Sequence, residues 1–122
     1  MTIVTPKPAS PALSATRRAG PLLFLSGQLP RRDDGSIERG PIEQQTSQVI
    51  DNIERLLAPH GLSLADVVKT TVWLTDVAFV PGFNAVYGAR FPTPYPTRST
   101  VVSGLVAPAD IEIEAIALFS DA

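Results

Sequence analysis

The order of the predicted elements indicates an α+β domain, in which two helices pack on one face of a β-sheet. Two observations support this prediction. Runs rich in β-branched and apolar residues, bounded by glycine, proline and aspartate, mark strands, and two longer stretches place apolar residues at helical spacing. Along the 122 residues they give three strands, a helix, a strand, a helix and two strands. We therefore expect one six-stranded sheet in a single domain, residues 1–122.

The N-terminal third contributes three predicted strands. Ile3–Thr5 is a short edge strand whose length is limited by the prolines that follow it. Ser14–Arg18 extends as a second strand, and Arg17–Pro21 is typical of a turn. The continuous apolar run Leu22–Leu25 is typical of a strand that is buried on both faces.

Proline and glycine set the limits of the first predicted helix. It begins at Gly40-Pro41, with Glu43 placed to interact favourably with the helix dipole. It ends at His60-Gly61, where glycine suits a left-handed cap. Its apolar positions recur at helical spacing and are Ile42, Val49, Ile50, Ile53, Leu56 and Leu57.

The second predicted helix lies between two strands. Ser63–Asp66 resembles a capping box that leads into the strand Val67–Leu74, and Thr75-Asp76 caps a helix with Pro81 in its first turn. A strand that follows a helix suits a crossover with parallel pairing, so we expect a mixed sheet. The proline-rich stretch Phe91–Pro96 is a rigid, extended connector to the next strand.

The last two strands contain the charged residues of greatest interest. Arg98 lies in Pro96–Val102, while Glu112 and Glu114 lie in Ile111–Ala117. Successive side chains of a strand point to opposite faces, so the two glutamates share one face. If the strands pair as a hairpin, Arg98 and a glutamate line one cleft. The alternatives are a surface ion pair for Arg98 and a solvated strand face for the glutamates.

Composition narrows the class of protein. Charged residues make up 18% of the chain, below the roughly 25% of a typical domain, so we expect some surface to be buried against copies of the chain. The net charge of −2 disfavours nucleic-acid binding. The proline-broken N-terminus lacks a signal-peptide pattern, and no apolar run approaches the ~20 residues of a membrane span. We therefore expect a cytoplasmic protein without a membrane partner.

The sequence lacks the residues on which several kinds of functional site depend. With no cysteine and one histidine, and with no phosphate-binding glycine motif, we expect neither a metal nor a cofactor. Arginine, carboxylates, hydroxyls and backbone amides remain. A guanidinium binds a substrate carboxylate through paired hydrogen bonds, and apolar neighbours raise the pKa of a glutamate toward the range useful for proton transfer. These groups suit the hydrolysis of a small, already reactive acid.

Six ordered blocks of the sequence resemble the RidA/YjgF family of reactive intermediate deaminases. The blocks are Arg18–Gly20 through Leu25–Pro30, Gln48–Leu57, Asp66–Val72, Phe83–Tyr87, Pro96–Thr100 and Ile111–Ala117. The resemblance implies a chorismate-mutase-like fold that assembles as a homotrimer, with sites in the clefts between subunits. It also implies cofactor-free hydrolysis of 2-imino acids, formed from enamines such as 2-aminoacrylate, to 2-keto acids and ammonia.

The same resemblance implies roles for individual residues. Arg98 matches the arginine that holds the substrate carboxylate, and Glu112 matches the acid that positions and activates the attacking water. Thr100 stands where many members have a cysteine, and it would contact the ligand. Glu114 matches a position without a direct chemical role.

Four further residues match positions around the pocket. Ser26, Gly27 and Asn84 match positions that shape or line it. Leu13 stands where many deaminating members have a tyrosine that contacts the ligand, so the pocket loses a hydroxyl donor there. This departure leaves the identity of the imine open.

Two other functions stay open beside the deaminase. One is a non-catalytic protein that binds small carboxylates or 2-keto acids in the same cleft and regulates a partner. The other is a nucleic-acid or translation-related activity, with which some relatives have been credited. The negative net charge and the lack of a basic patch interleaved with aromatic residues make it the least favoured.

Overall fold

A computed structural model describes residues 11–120, which form five strands and two α-helices. In chain order the elements are β1 (Thr16–Ala19), β2 (Leu22–Gln28), α1 (Ile42–Leu57), β3 (Val67–Leu74), α2 (Val80–Arg90), β4 (Thr97–Val102) and β5 (Ile111–Leu118). The α+β class is confirmed. The predicted strand Ile3–Thr5 lies outside the described residues, so the sixth strand stays a prediction.

The five strands form one mixed sheet in the order β1-β2-β5-β3-β4. The central strand β5 is antiparallel to both β2 and β3, whereas β3 and β4 are parallel and are joined through α2. The mixed sheet is as predicted, but the parallel pairing follows α2 and not α1, because β5 lies between β2 and β3. The sequence also allowed a hairpin between the last two strands. That pairing is wrong, because β3 lies between β4 and β5. Both backbone edges of β3 are hydrogen-bonded, one to β4 and the other to β5, and no proline interrupts the strand.

The N-terminal turn is shorter than the sequence indicated. Residues Arg17–Ala19 belong to β1, which pairs with β2, and the chain reverses at Gly20-Pro21. Gly20 has a φ of 59°, a left-handed conformation that glycine adopts at little cost. The strand β2 continues to Gln28 and is irregular against β5 between Leu25 and Gln28.

The helix α1 begins and ends close to its predicted limits. Pro41 precedes its first residue, and Glu43 lies in the first turn. The α-helix ends at Leu57 and continues as one turn of 3₁₀-helix to His60, after which Gly61 adopts a φ of 71°. The predicted glycine cap is therefore present. The buried apolar residues of the helix are Ile42, Val49, Ile50, Ile53 and Leu57.

The helix α2 follows a short capped turn. The Asp76 side chain accepts a hydrogen bond of 2.8 Å from the Ala78 amide, and Pro81 lies in the first turn, as predicted. Two aromatic residues of this helix, Phe83 and Tyr87, are buried. The Tyr87 hydroxyl shares a hydrogen bond of 2.7 Å with Thr70 on β3, which fixes the helix against the sheet.

The two faces of the sheet differ in what covers them. Both helices lie on one face, where the alternate residues Ile111, Ile113, Ala115 and Ala117 of β5 are buried. The opposite face bears Glu112 and Glu114 among apolar residues, and no segment of residues 11–120 buries it fully. Phe24 and Leu118 on this face are 41% and 42% exposed. We call it the open face.

A buried polar cluster ties α1 to the segment before β5. The Gln45 amide donates to the Asp110 carboxylate at 2.9 Å, and its oxygen accepts the Asp110 backbone N–H at 2.9 Å. The Thr75 hydroxyl donates to the other Asp110 oxygen at 2.8 Å. Gln45 is 1% exposed, so its amide is shielded from water and depends on these bonds.

No helix within residues 11–120 combines the length and the apolar character that crossing a membrane would require.

Replacing Gln45 with leucine is expected to lower the free energy of unfolding by about 2–3 kcal/mol. Leucine has a similar size but cannot pair with Asp110, whose carboxylate and N–H would lose buried partners. Urea denaturation measures the effect. The control Gln44→Leu changes an exposed residue of the same helix turn and should cost less than about 0.5 kcal/mol. Equal losses in the two variants would show that the cluster is not responsible.

Candidate functional site

Arg98 extends from β4 over the side of α2. Its guanidinium carbon lies 4.9 Å from the ring centroids of both Phe83 and Tyr87, and its Nη2 donates to Asn84 Oδ1 at 2.9 Å. Within residues 11–120 no carboxylate forms an ion pair with it. The described residues therefore do not contain the surface ion pair that was the alternative for Arg98, and a planar fork of donors is left for an external acceptor.

The aromatic rings below the guanidinium hold it in place. Tyr87 is 4% exposed, and burial raises the pKa of its phenol, although the Thr70 hydrogen bond and the charge of Arg98 oppose that change. The ring therefore stays neutral and presents its face to the cation. Asn84 then sets the rotation of the guanidinium plane.

A cavity of about 320 Å³ opens in front of Arg98. Its walls come from α2, the connector and β4, and are formed by Asn84, Tyr87, Gly88, Tyr95, Pro96 and Arg98. Arg98 is the one formally charged group among them. The cavity can therefore take an anion whose remainder is apolar.

Glu112 lies on the open face in the central strand. It is half-buried, and its cross-strand neighbour on β3 is Trp73. Its carboxylate crosses Gly27: a β-carbon at that position would lie 2.9 Å from Glu112 Cδ. Burial, and then the charge of Glu114, raise the pKa of Glu112. The simple solvated face is therefore not its environment, and its proton affinity suits general acid–base work.

A second, wider cleft lies beside Glu114 on the open face. Its volume is about 540 Å³, and its lining includes Leu13, Arg17, Phe24, Ser26 and Glu114. The Ser26 hydroxyl donates to the Ser14 carbonyl at 2.6 Å, so it fixes the segment that precedes β1. Leu13 is 66% exposed and presents an apolar side chain where the resemblance placed a tyrosine.

The predicted site residues fall into two groups on opposite faces of the sheet. Arg98 pairs with Thr70, and Glu112 pairs with Trp73. Thr70 is buried beneath the helices, and Trp73, three residues later, points to the open face. Arg98 and Glu112 therefore do not meet within one copy of the chain.

Each group includes other predicted residues. On the helix side, Asn84 contacts Arg98, and Thr100 lies two residues further along the same edge strand and the same side. On the open side, Gly27 contacts Glu112, while Ser26 and Leu13 line the adjoining cleft.

Sequence reasoning missed the support and the walls of the Arg98 cavity. No role in the site was assigned from the sequence to Phe83, Tyr87, Gly88 or Tyr95. One usable signal was the spacing of Phe83 and Tyr87, which are four residues apart on a helix and share one face with the polar Asn84 beside them. For Tyr95 the sequence offered no signal.

Residues 11–120 contain no group of three or more histidine, cysteine, aspartate or glutamate side chains arranged to hold a metal ion.

The environment of Glu112 predicts a pH-dependent effect on stability. Because its pKa is higher in the folded protein than in the unfolded chain, its ionisation costs stability as the pH rises through the folded pKa. Glu112→Gln removes that cost. The melting temperature of the variant relative to the wild type should increase from acidic to neutral pH, and level off above the folded pKa.

The matched control is Glu114→Gln on the same strand and face. This variant removes the neighbouring charge but leaves the burial of Glu112, the larger cause of the raised pKa, in place. Its increase in melting temperature over the wild type at neutral pH should therefore be smaller than that of Glu112→Gln. If the difference in melting temperature between Glu112→Gln and the wild type did not change with pH, the raised pKa of Glu112 would be contradicted.

Comparison with known proteins supports the family resemblance that the six sequence blocks indicated. The family model described as Endoribonuclease L-PSP matches residues 2–119. A RutC family protein of Pyrococcus horikoshii is 44% identical over 114 residues, which cover 92% of this chain and 90% of that protein. The chloroplastic Reactive Intermediate Deaminase A of Arabidopsis thaliana is 41% identical over 102 residues, which cover 82% of this chain and 54% of that protein.

Solved structures share the fold. RidA from an Antarctic Psychrobacter species superposes with a TM-score of 0.85 at 33% identity, covering 92% of both chains. Yeast Mmf1 superposes with a TM-score of 0.86 at 34% identity, covering 93% of this chain and 91% of the other. In sequence and in fold, the chain belongs to the RidA/YjgF family.

Proposed function

We propose that this protein hydrolyses reactive 2-imino acids to 2-keto acids and ammonia, without a cofactor. The observation that carries the proposal is the state of Arg98, a guanidinium supported by two rings and one amide, with no carboxylate partner in residues 11–120. Such a group suits the carboxylate of a small acid. The name of the Arabidopsis relative points to the same chemical class.

The proposed reaction uses two charged groups in different roles. Arg98 binds the substrate carboxylate and thereby places the adjacent C=N bond. Glu112, whose pKa burial raises, accepts a proton from water as the water oxygen bonds to the imine carbon. That proton is transferred to the nitrogen, which gives a carbinolamine with a hydroxyl and an amino group on the former imine carbon. Glu112 then transfers the hydroxyl proton to the amine, the C–N bond breaks, and ammonia leaves as the C=O bond forms. Water supplies the oxygen, and nothing is oxidised or reduced.

The positions of these groups support an assembly in which neighbouring copies complete the site. We propose a homotrimer in which Arg98, Asn84 and Thr100 of one copy face Glu112 and Gly27 of the next. Ser26 and Leu13 belong to the second group and would form the far wall. The open face offers the required contact surface, since Phe24 and other apolar side chains on it are partly exposed.

A binding protein without turnover is the second candidate. It needs the carboxylate site at Arg98 but not proton transfer at Glu112. Its support is Leu13, which offers no hydroxyl at the far wall, and the fact that the Arg98 side is fully formed within one copy. Turnover distinguishes the two candidates. Binding of pyruvate without any turnover of imino acids would favour the binding protein.

Activity is tested on 2-iminopropanoate formed in situ from alanine by an amino-acid oxidase, with semicarbazide as the trap for free imine. The protein should lower the rate of semicarbazone formation. Arg98→Ala should reduce kcat/KM at least about 100-fold, since two charge-assisted hydrogen bonds are lost. Glu112→Gln should reduce kcat about 10²–10⁴-fold. The control Glu114→Gln should stay within about threefold of wild type.

Failure of the wild type to change the trapping rate with several imino acids would remove the deaminase proposal. Full activity in Arg98→Ala would remove the assigned carboxylate site and leave hydrolysis unexplained. Equal losses in Glu112→Gln and Glu114→Gln would show that charge on the open face, and not the Glu112 position, is what matters.

Shared sites between copies predict complementation. Arg98→Ala and Glu112→Gln are each expected to be inactive, but co-expression should give mixed trimers in which some clefts have both native residues. Random mixing at equal levels should restore about a quarter of wild-type activity, since each cleft needs one particular pair of neighbours. Activity is measured on the purified mixture, with its mass checked by light scattering. A monomer mass, or no recovery in the mixture, would contradict the shared cleft.

A further inference from the structure

The cavity in front of Arg98 has room beyond the carboxylate. We infer that it selects 2-imino acids with a bulky apolar or aromatic side chain over 2-iminopropanoate. The inference rests on the proposed function for one point, the binding of the substrate carboxylate by Arg98. It goes further in assigning Gly88, Tyr95 and Pro96 to the substrate side chain.

Besides Arg98, the cavity has an apolar wall. It consists of the Tyr95 ring and Pro96 from the connector, with Tyr87 from α2 beside them. The Tyr95 hydroxyl donates to the Gly88 carbonyl at 3.3 Å, so the polar end of this side chain is turned toward the helix backbone. The Tyr95 side chain lines the cavity, and its aromatic ring suits aromatic and branched side chains.

Gly88 keeps one side of the cavity empty. It lies in the third turn of α2, where glycine costs about 1 kcal/mol relative to alanine. Its backbone does not require glycine, because its φ is not positive. Packing does not require it either, since a β-carbon at this position would meet no heavy atom within 4 Å. What the glycine provides is open space beside Arg98 and Tyr95.

The size of the cavity agrees with this role. Its volume is about 320 Å³, near the roughly 300 Å³ at which pockets begin to enclose drug-sized ligands. A substrate with only a methyl side chain would leave most of the apolar wall in contact with water. A larger side chain would cover Tyr95 and Pro96, and burial of each added methylene favours binding.

Stable 2-keto acids, the products of the proposed reaction, serve as ligands in a calorimetric test. Pyruvate, 2-oxobutanoate, 4-methyl-2-oxopentanoate and phenylpyruvate are titrated into the wild-type protein. The affinity should increase along this series, at least about tenfold from pyruvate to the two largest acids. The same ranking should appear in kcat/KM when the corresponding imino acids are supplied to the trapping assay.

Gly88→Leu fills the empty side of the cavity. It should weaken phenylpyruvate binding at least about tenfold and leave pyruvate binding within about threefold. The control Ala89→Leu places the same side chain at the next, exposed helix position and should change neither affinity. Tyr95→Ala is a second variant that removes the aromatic ring from the apolar wall. Tyr95 is 55% exposed, so this change spares the core and should weaken only the larger acids.

The outcomes separate this inference from the proposed function. Equal affinity of the wild type for pyruvate and phenylpyruvate overturns the inference, while the deaminase proposal stands. If Gly88→Leu lowered the affinity for all the 2-keto acids equally, the inference would also be overturned. The glycine would then affect binding of the carboxylate and not of the substrate side chain. Absence of binding by every acid, together with no turnover of 2-iminopropanoate, overturns the carboxylate site and the inference with it.

Discussion

The alternation of side chains along β5 is the constraint on which the rest of the structure depends. This strand lies in the middle of the sheet and sends Ile111 and Ile113 into the core beneath the helices. A shift of one residue in its pairing would place Glu112 and Glu114 in that core. Neither carboxylate could be satisfied there, so the register of both neighbouring strands is fixed by the cost of burying charge.

That register also separates the two charged groups of the proposed site. Glu112 must face away from the helices, whereas Arg98 needs the helix side, where Phe83 and Tyr87 hold its guanidinium. The strand β3 keeps them apart along the sheet as well. A chemistry that uses both groups is therefore a property of an assembly. The low share of charged residues and the partly exposed apolar residues of the open face agree with such an assembly.

Local patterns allowed most of the elements to be predicted, and they failed where distant segments meet. The capping box at Ser63, the glycine cap at Gly61 and the position of Pro81 are local signals, and all three are confirmed. The order of the strands is set by contacts between residues far apart in the chain. Periodicity therefore could not show that β3 lies between the last two strands.

The candidate site was predictable to the same extent. The family blocks pointed to Arg98 and Glu112, and alternation in a strand placed Glu112 and Glu114 on one face. No pattern showed that Arg98 lacks a carboxylate partner in the described residues, because that depends on the packing of α2 against the sheet edge. Gly88 and Tyr95 were missed for the same reason, since they become neighbours of Arg98 only when the connector folds back along the helix.

Apart from Tyr87, the walls of the Arg98 cavity lie outside the hydrophobic core. They come from the exposed side of α2, the connector and an edge strand whose six residues are all exposed. Exchanges at such positions cost little folding free energy, so they leave the stability margin of the protein largely untouched. The preference for one substrate side chain or another can therefore drift during evolution by single substitutions, while the arginine and the buried face of the sheet remain unchanged.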